Sequence, residues 1–206
     1  MVFTVVRTIL KCHVLLLLAL SSSVATAQDT TIVRLRGVVQ SYDAPTLVLK
    51  ERSGKVIEMI LPEGLPIAEV IPTDITAIQP GSFIGTAAVP RPDGALLSLE
   101  VVVFPEAARG SGEGHYPWDL KPDSTMTNAT VADLARSPQG RTLTLRYKDG
   151  EKRIIVPDGI PVVTFKPGNP ELIVPGARVF IVTEKTGDHY APRRFMIGRN
   201  GFQPPM

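Results

Sequence analysis

The sequence predicts an all-β protein made of two small five-stranded barrels in tandem, with little helix, behind an N-terminal signal peptide. Three observations lead to this prediction: an internal duplication, apolar residues that alternate with period two, and regularly spaced turn dipeptides. The composition, 44% hydrophobic and 20% charged in 206 residues, is typical of a globular chain and excludes a disordered one. No apolar stretch reaches the roughly 20 residues that span a bilayer, which excludes a polytopic membrane protein.

Residues 1–27 contain the three parts of a secretory signal peptide. Arg7 and Lys11 supply the positive charge, the following leucine-rich run forms the apolar centre, and Ala25–Ala27 (ATA) gives a cleavage site. An uncleaved membrane anchor is the alternative, but the apolar run is about half the roughly 20 residues of a bilayer span. We therefore expect cleavage near Ala27–Gln28 and a periplasmic or secreted protein.

Cleavage would leave 179 residues that carry 20 basic and 20 acidic side chains and no transmembrane segment. This balance lacks the positive excess of a nucleic-acid-binding protein, so nucleic acid is not an expected partner. The only cysteine, Cys12, lies before the apolar centre and leaves with the signal, which excludes a lipid-modified cysteine. The exported chain would therefore have no disulfide and no thiolate for catalysis or metal binding.

Two segments of the chain repeat each other at an offset of 95 residues. Leu61–Ile67 (LPEGLPI) recurs as Val156–Val162 (VPDGIPV), and Ile78–Gly81 (IQPG) recurs as Ile173–Gly176 (IVPG). Further matches keep the same order, which predicts two homologous modules. The chain then divides into a signal peptide (1–27), a first barrel module (28–104), an inter-module segment (105–126) and a second barrel module with a C-terminal tail (127–206).

Each module is predicted to contain five short strands. In the first strand Val33 and Leu35 alternate with Arg34 and Arg36, the period of a half-buried strand. Glycine-containing turns separate the strands, and a single helical turn is expected within 73–78. The predicted strands are 32–41, 46–52, 56–61, 82–89 and 95–104 in the first module, and 127–134, 142–147, 151–156, 177–183 and 190–197 in the second. The weakest assignment is 127–134, for which a helix is the alternative.

Five strands in about 70 residues, with the longest connection between the third and the fourth, are the layout of a small OB-like barrel. Closure of the barrel removes exposed sheet edges, which would otherwise pair with other chains. An open five-stranded meander in each module is the alternative. Both arrangements are all-β and place the glycines and prolines mainly in turns.

Five segments carry a further resemblance: Leu35–Val39 (LRGVV), Ile78–Gly81 (IQPG), Asp93–Ala95 (DGA), Gly112–Leu120 (GEGHYPWDL) and Ser124–Val131 (STMTNATV). Through them almost all of the chain from residue 32 resembles an uncharacterised family of exported proteobacterial proteins, a domain of unknown function built from tandem small β-barrel modules. The resemblance implies export and a small β-barrel fold. It supplies no catalytic residue.

The inter-module segment contains the most distinctive cluster of side chains. Glu113, His115, Tyr116, Trp118 and Asp119 lie within seven residues, and Trp118 is the only tryptophan of the chain. A plain linker has no need of a tryptophan. The functional hypothesis is a ligand-binding loop, with the aromatic rings as a platform beside three polar groups. The alternative, which the sequence favours, is that Trp118 packs between the modules and fixes their orientation.

Metal binding is a second hypothesis, with His115 and Asp119 as weak candidate ligands. Glu113 adds an oxygen donor, and His189 with several methionines could complete a soft site for copper. The sequence has no paired histidines or cysteines at ligand spacing. We therefore predict no cofactor, and keep a divalent metal or copper as the alternative.

The sequence contains no nucleophile elbow, phosphate-binding loop or zinc-protease motif, so it predicts a non-enzymatic protein, with a hydrolase as the least favoured alternative. Arg193, Arg194 and Arg199 form a basic strand that suits a solvated face better than an anion site. The expected function is an exported binding or scaffold protein of the bacterial envelope. Its partner would be an envelope protein or a small ligand, held in the cleft between the modules beside residues 113–119.

Overall fold

The computed structural model describes residues 29–137 and 140–206, and it is all-β. The predicted signal peptide and Cys12 lie outside the described residues. Within these two ranges, thirteen strands form one continuous sheet, with four short 3-10 turns as well. None of the helices in the described ranges has the length and apolar character needed to cross a membrane.

The strands follow one another with short connections. They are β1 (Thr30–Asp43), β2 (Thr46–Glu51), β3 (Val56–Ile60), β4 (Ile67–Pro72), β5 (Phe83–Pro90), β6 (Leu96–Val103), β7 (Gly114–Pro117), β8 (Thr125–Ser137), β9 (Gly140–Tyr147), β10 (Gly150–Val156), β11 (Val162–Pro167), β12 (Arg178–Thr186) and β13 (His189–Gly198). The 3-10 turns are Ile75–Ala77, Glu106–Ala108, Pro170–Leu172 and Arg199–Gly201.

A closed barrel is built from strands of both repeats. Strands β8, β9 and β10 of the second repeat join β5 and β6 of the first, through antiparallel pairs β9–β10, β8–β9, β5–β8 and β5–β6. A short parallel pairing of β10 with β6, Ile154 opposite Leu96, closes the ring. We call these five strands the closed barrel.

The remaining long strands form a second group with the reciprocal composition. Strands β1, β2 and β3 of the first repeat join β12 and β13 of the second, through antiparallel pairs β1–β12, β1–β2, β2–β3 and β12–β13. Strand β3 lies against β13, as β10 does against β6 in the closed barrel. We call these five strands the second strand group.

Strands β4 and β11 relate the two repeats by an approximate two-fold axis. They pair with each other in antiparallel orientation, and Val70 lies opposite Phe165, its own counterpart 95 residues later. The register irregularities are also duplicated: the bulge at Ala87/Ala88 recurs at Val182/Thr183. A bulge bends and twists a strand, so the two repeats share strand curvature as well as sequence.

This arrangement differs from the predicted tandem barrels, because each set of five strands takes three from one repeat and two from the other. The long connections predicted between the third and the fourth strand of each module contain β4 and β11. These extended strands carry the chain from one strand set to the other instead of returning it. A repeat pattern identifies equivalent strands but not which copy each strand pairs with, and that is why the sequence did not predict the exchange.

Several local predictions are confirmed. Residues 127–134 are strand, within β8, and the helical turn expected within 73–78 is the 3-10 turn at Ile75–Ala77. Asp74 caps that turn by accepting a hydrogen bond from the Thr76 amide at 2.7 Å, the usual role of aspartate before a helical turn.

Three apolar clusters form the core. The first fills the second strand group and includes Leu47, Leu49, Ile181, Phe195 and Ile197. The second fills the closed barrel and includes Ile84, Leu143, Leu145 and Ile154. The third lies between the two strand sets and includes Val70, Val102, Val163, Phe180 and Met206. The third cluster adds apolar contacts between the two sets of strands, which are also linked by the pairing of β4 and β11.

A fully buried carboxyl group sits at the bulge of the closed barrel. Glu100 has no exposed surface, and its Oε1 accepts a hydrogen bond from the Ala87 amide at 2.9 Å. Its Oε2 has no partner among the described residues. Burial raises the pKa of Glu100 to about 7, although the Ala87 amide and the charge of Arg36 act in the opposite direction. Glu100 therefore titrates near neutral pH.

Replacing Glu100 by Gln is expected to change how stability depends on pH. Because its folded-state pKa of about 7 exceeds the ordinary value of 4.5, the folded protein holds a proton that the unfolded chain releases between these values. The contribution of Glu100 protonation to the free energy of unfolding is therefore complete below about pH 4.5 and is lost as the pH rises through about 7. The free energy of unfolding of the native protein relative to Glu100→Gln should fall by about 3 kcal/mol across this window.

Urea denaturation at a series of pH values measures this difference. Glu58→Gln, at an exposed position of β3, is the matched control and should leave the profile unchanged. The pKa of His115 is lowered, so His115 makes the stability rise with pH, opposite to the effect of Glu100. Subtracting the stability curve of the variant from that of the native protein removes this contribution, because His115 is present in both. Parallel profiles for the native protein and Glu100→Gln would contradict the prediction.

Candidate ligand-binding cleft

The distinctive segment between the repeats includes a short strand, β7, that pairs with β8. Alternation along β7 sends successive side chains to opposite faces. His115 lies on one face, with Nδ1 2.8 Å from Thr127 Oγ1 and its ring stacked on Tyr147 at 6.3 Å between centroids. On the same side, Glu113 accepts a hydrogen bond from the Lys148 amide at 3.0 Å. These two candidates therefore attach β7 to the closed barrel.

Tyr116 and Trp118 lie on the other face and line a cleft. Their ring centroids are 6.1 Å apart, and Trp118 also lies 6.1 Å from the ring of Phe180 on β12. The indole is half-buried within the third core cluster. Trp118 thus packs between the two strand sets, and it also presents part of its surface to the cleft.

The cleft, which we call the central cleft, lies between the closed barrel and the second strand group and has a volume of about 80 Å³. Its walls are mainly apolar. Five aromatic rings line it: Phe104, Tyr116, Trp118, Phe165 and Phe180. Three methionines line it as well: Met126, Met196 and Met206. Methionine is flexible and polarisable, so such walls can adjust to the shape of a bound molecule.

The two walls come from equivalent rows of the two strand sets. On the second strand group, Arg36 of β1 lies opposite Phe180 of β12, which lies opposite Met196 of β13. On the closed barrel, Asn128 of β8 lies opposite Gly85 of β5. This pair is the counterpart of Arg36 and Phe180 on the second strand group. The wall of the second strand group therefore carries bulky side chains, whereas the barrel wall carries an amide over a glycine.

Asn128 presents an unpartnered oxygen at the barrel wall. Its Nδ2 donates to the carbonyl oxygens of Ser111 and Gly112, at 3.2 and 3.1 Å, and to Tyr116 Oη at 3.1 Å. These partners fix the orientation of the amide, since only the nitrogen can donate to a carbonyl. Its Oδ1 is buried and has no hydrogen-bond partner in the described part of the chain. A Cβ on Gly85 would lie 2.5 Å from that oxygen, so a residue larger than glycine at this position would displace the amide.

Trp118 presents an unpartnered donor. Its Nε1 is buried and has no partner in the two described ranges. A buried polar atom without a partner costs about 1–3 kcal/mol, and native proteins contain few of them. Two residues that line the central cleft therefore each carry a buried polar atom without a partner, one a donor and one an acceptor.

Two arginines that make no ion pair in the described residues lie near the aromatic wall of the cleft. The Arg34 guanidinium carbon lies 4.1 Å from the ring centre of Trp118, a cation–π contact, and Arg194 lines the cleft. Both act on Tyr116: burial raises the pKa of its phenol, and the charges of Arg34 and Arg194 oppose that rise. The two cations therefore converge on the same aromatic side chain.

Asp119 follows the cleft residue Trp118 in the chain and forms an ion pair with Arg36. The Arg36 Nη2 atom donates to Asp119 Oδ1 at 2.7 Å, and its Nε donates to the main-chain oxygen of Met206 at 2.6 Å. Partial burial raises the pKa of Asp119, but the hydrogen bond and charge of Arg36, together with the charge of Arg34, lower the pKa overall. Asp119 is thus a partner of Arg36 rather than a free polar group.

The weak metal candidates do not belong to a common cluster. His115 contacts Thr127 and Tyr147, whereas Asp119 contacts Arg36. Burial and the charge of Lys152 lower the pKa of His115. No group of three or more histidine, cysteine, aspartate or glutamate side chains is placed to hold a metal within the described ranges.

The basic strand at the C-terminal end is divided among three environments. Arg193 pairs with Glu184 at 2.6 Å on the exposed face. Arg199 makes a bidentate pair with the buried Glu69, at 2.7 and 2.9 Å. Arg194 alone faces the central cleft. The expected solvated, acid-paired face therefore describes Arg193 but not Arg194.

Among the predicted site residues, the structure brings Tyr116 and Trp118 to the cleft, pairs Asp119 with Arg36, and places Glu113 and His115 against the closed barrel. Sequence reasoning missed the distant contributors, above all Asn128 and Phe180. The available signal was the alternation of apolar and charged residues along β1, which places Arg34 and Arg36 on one face of the strand. Without knowledge of the opposing strand set, that face could only be interpreted as exposed to solvent.

No known family model, curated protein or solved structure matches the chain. The resemblance to exported proteins with tandem small β-barrel modules stays a prediction that rests on the segments quoted for it. The geometry of the central cleft is therefore the basis for a functional proposal.

Proposed function

We propose that this protein is an exported, non-enzymatic binding protein that holds a small organic ligand in the central cleft. The observation that carries the proposal is the coexistence of two buried, unpartnered polar atoms, Asn128 Oδ1 and Trp118 Nε1, beside apolar walls. Small-ligand sites are typically apolar pockets with a few oriented polar groups. The export part of the proposal rests on residues 1–27.

The polar groups of the cleft favour binding over catalysis. An amide oxygen, an indole N–H and a guanidinium orient a ligand by hydrogen bonds and charge, and none of them exchanges protons readily near neutral pH. The pKa of Tyr116 is raised, so the phenol also keeps its proton there. A ligand that used the donor and the acceptor would relieve two unfavourable burials at once.

The cleft also has a built-in reporter. Trp118 is the only tryptophan of the chain, so its emission reports occupancy of the cleft directly. We expect single-ring and short-chain organic molecules, screened by ligand-observed NMR, to yield binders that change the emission of Trp118.

Val182→Phe tests the location of these binders. Val182 lines the cleft and is half-buried, so a larger side chain should fill the space and abolish binding without opening the core. Val174→Phe, at an exposed position remote from the cleft, is the matched control and should bind as the native protein does. The proposal would be contradicted if the molecules still bound to the Val182→Phe variant, or if the screen found no molecule that binds the native protein.

A further inference from the structure

The charges around the central cleft identify the kind of ligand. Arg34 lies opposite Val182, and Val182 lies opposite Arg194, so the two arginines share one face of three adjacent strands. Adjacent strands are about 4.8 Å apart, which places the two backbones about 10 Å from each other across Val182. Two long cations at this spacing can reach a single anionic group from both sides.

The acidic groups near this face do not neutralise it. Asp119 is held by Arg36 at 2.7 Å, and Glu184 is held by Arg193 at 2.6 Å. Glu100 is completely buried behind the barrel wall. Arg34 and Arg194 therefore make no ion pair with a carboxylate in the described residues, although the charge of Arg34 also acts on Asp119.

The space beside these cations suits a flat apolar group. Trp118 and Phe180 present ring surfaces, with Arg34 placed over the indole. The volume of about 80 Å³ is small compared with typical drug-sized pockets, which measure about 300–1,000 Å³. A single ring or a chain of a few carbons is the size of group that it admits.

We propose that the ligand is a small organic monoanion, with a carboxylate-type head between Arg34 and Arg194 and one planar ring against Trp118. This inference rests on the proposed function and specifies its ligand class. The guanidinium fork is suited to carboxylate geometry, and the ring replaces water along the apolar walls. A hydrogen-bond donor on the far side of the ring would meet Asn128 Oδ1.

Three probes that share a phenyl ring on a short alkyl chain test which head-group charge the cleft prefers: 3-phenylpropanoate, 3-phenylpropan-1-ol and 3-phenylpropylammonium. Dissociation constants come from Trp118 fluorescence and calorimetry. We expect the carboxylate to bind about tenfold more tightly than the alcohol, the usual size of a charge-assisted hydrogen-bond contribution, and the ammonium compound to bind more weakly than both. Added salt should weaken the carboxylate alone, because salt screens charge.

Neighbouring arginines provide the variant and its control. In Arg34→Gln with Arg194→Gln, the carboxylate should lose its tenfold advantage over the alcohol. Arg193→Gln removes an equal charge one residue away, from a side chain paired with Glu184, and should preserve the advantage. Thermal unfolding of each variant establishes that it is folded.

The outcomes separate the inference from the function on which it rests. If carboxylate and alcohol bind equally and both are lost in Val182→Phe, the cleft binds ligands and the anionic class is wrong. If the preference for the carboxylate persists in the double arginine variant, the assigned head-group site is wrong. If none of the three probes binds at millimolar concentration, the inference is overturned, and the wider screen then decides the proposed function.

Discussion

Dividing the chain between Arg109 and Gly110 is expected to give two fragments that fold only when they are combined. Within the described residues, six strand pairings join one fragment to the other: β1–β12, β5–β8, β4–β11, β4–β13, β6–β10 and β6–β11. The fragment 29–109 contains β1–β6. It lacks β12 and β13, which complete the second strand group, and β8, β9 and β10, which complete the closed barrel. Each fragment alone should therefore lack a cooperative unfolding transition.

The division site is chosen to spare local contacts. Arg109 stays with Glu106, to which it donates at 2.6 Å, and Gly110–Gly112 stay with Asn128. Mixing the fragments 29–109 and 110–206 should restore the β-sheet circular dichroism spectrum and a cooperative transition.

The control for this experiment is the intact chain with a protease site introduced at the same position. Cleavage after folding should leave a single particle with an unchanged spectrum, because the pairings across the division remain. Fragment 29–109 folding by itself as a cooperative monomer would contradict the strand exchange. That result would instead favour the tandem arrangement that the sequence predicted.

Phe180→Ala is expected to lower the free energy of unfolding by about 3–5 kcal/mol. Phe180 is only 2% exposed and belongs to the cluster between the two strand sets. Its ring contacts Trp118, and the Arg36 guanidinium carbon lies 4.9 Å from its centre. Truncation removes these contacts and leaves a cavity beside the central cleft, where the rigid β-strands cannot move in to fill it.

Urea denaturation measures this loss. Phe202→Ala, a truncation of the same size at a half-buried position in the same cluster, is the matched control and should cost less. Because Phe180 is also a wall of the cleft, Phe180→Ala should change Trp118 emission in the folded protein. A loss below about 1 kcal/mol would show that the third cluster does not hold the two strand sets together.

The fold class could be predicted because alternation and turn residues are local signals. The strand 127–134 was assigned from its match to the first repeat, against a composition that also fitted a helix, and it is part of β8. The exchange of strands could not be predicted, because both copies of each strand present the same apolar pattern to a partner. The chain passes from one strand set to the other through β4 and β11, which lie in connections where the sequence predicted no strand.

The candidate site was predicted only where it is local in sequence. Tyr116 and Trp118 stood out by residue type within the inter-module segment, and both line the cleft. Asn128 could not be selected, since its importance arises from the glycine opposite it and from the segment that binds its nitrogen. Arg194 differs from Arg193 only in the face that it occupies, which depends on the register of β13.

The pairing of Val70 with Phe165 has a consequence for recognition. Two identical chains related by a true dyad would have to present the same residue on both sides of the shared interface. Here one polypeptide carries both copies, so Arg36 of one strand set corresponds to Asn128 of the other, and Phe180 corresponds to Gly85. Because both copies lie in a single chain, the two sides of the interface carry different side chains, and the interface has a chemical direction that a symmetric dimer would lack.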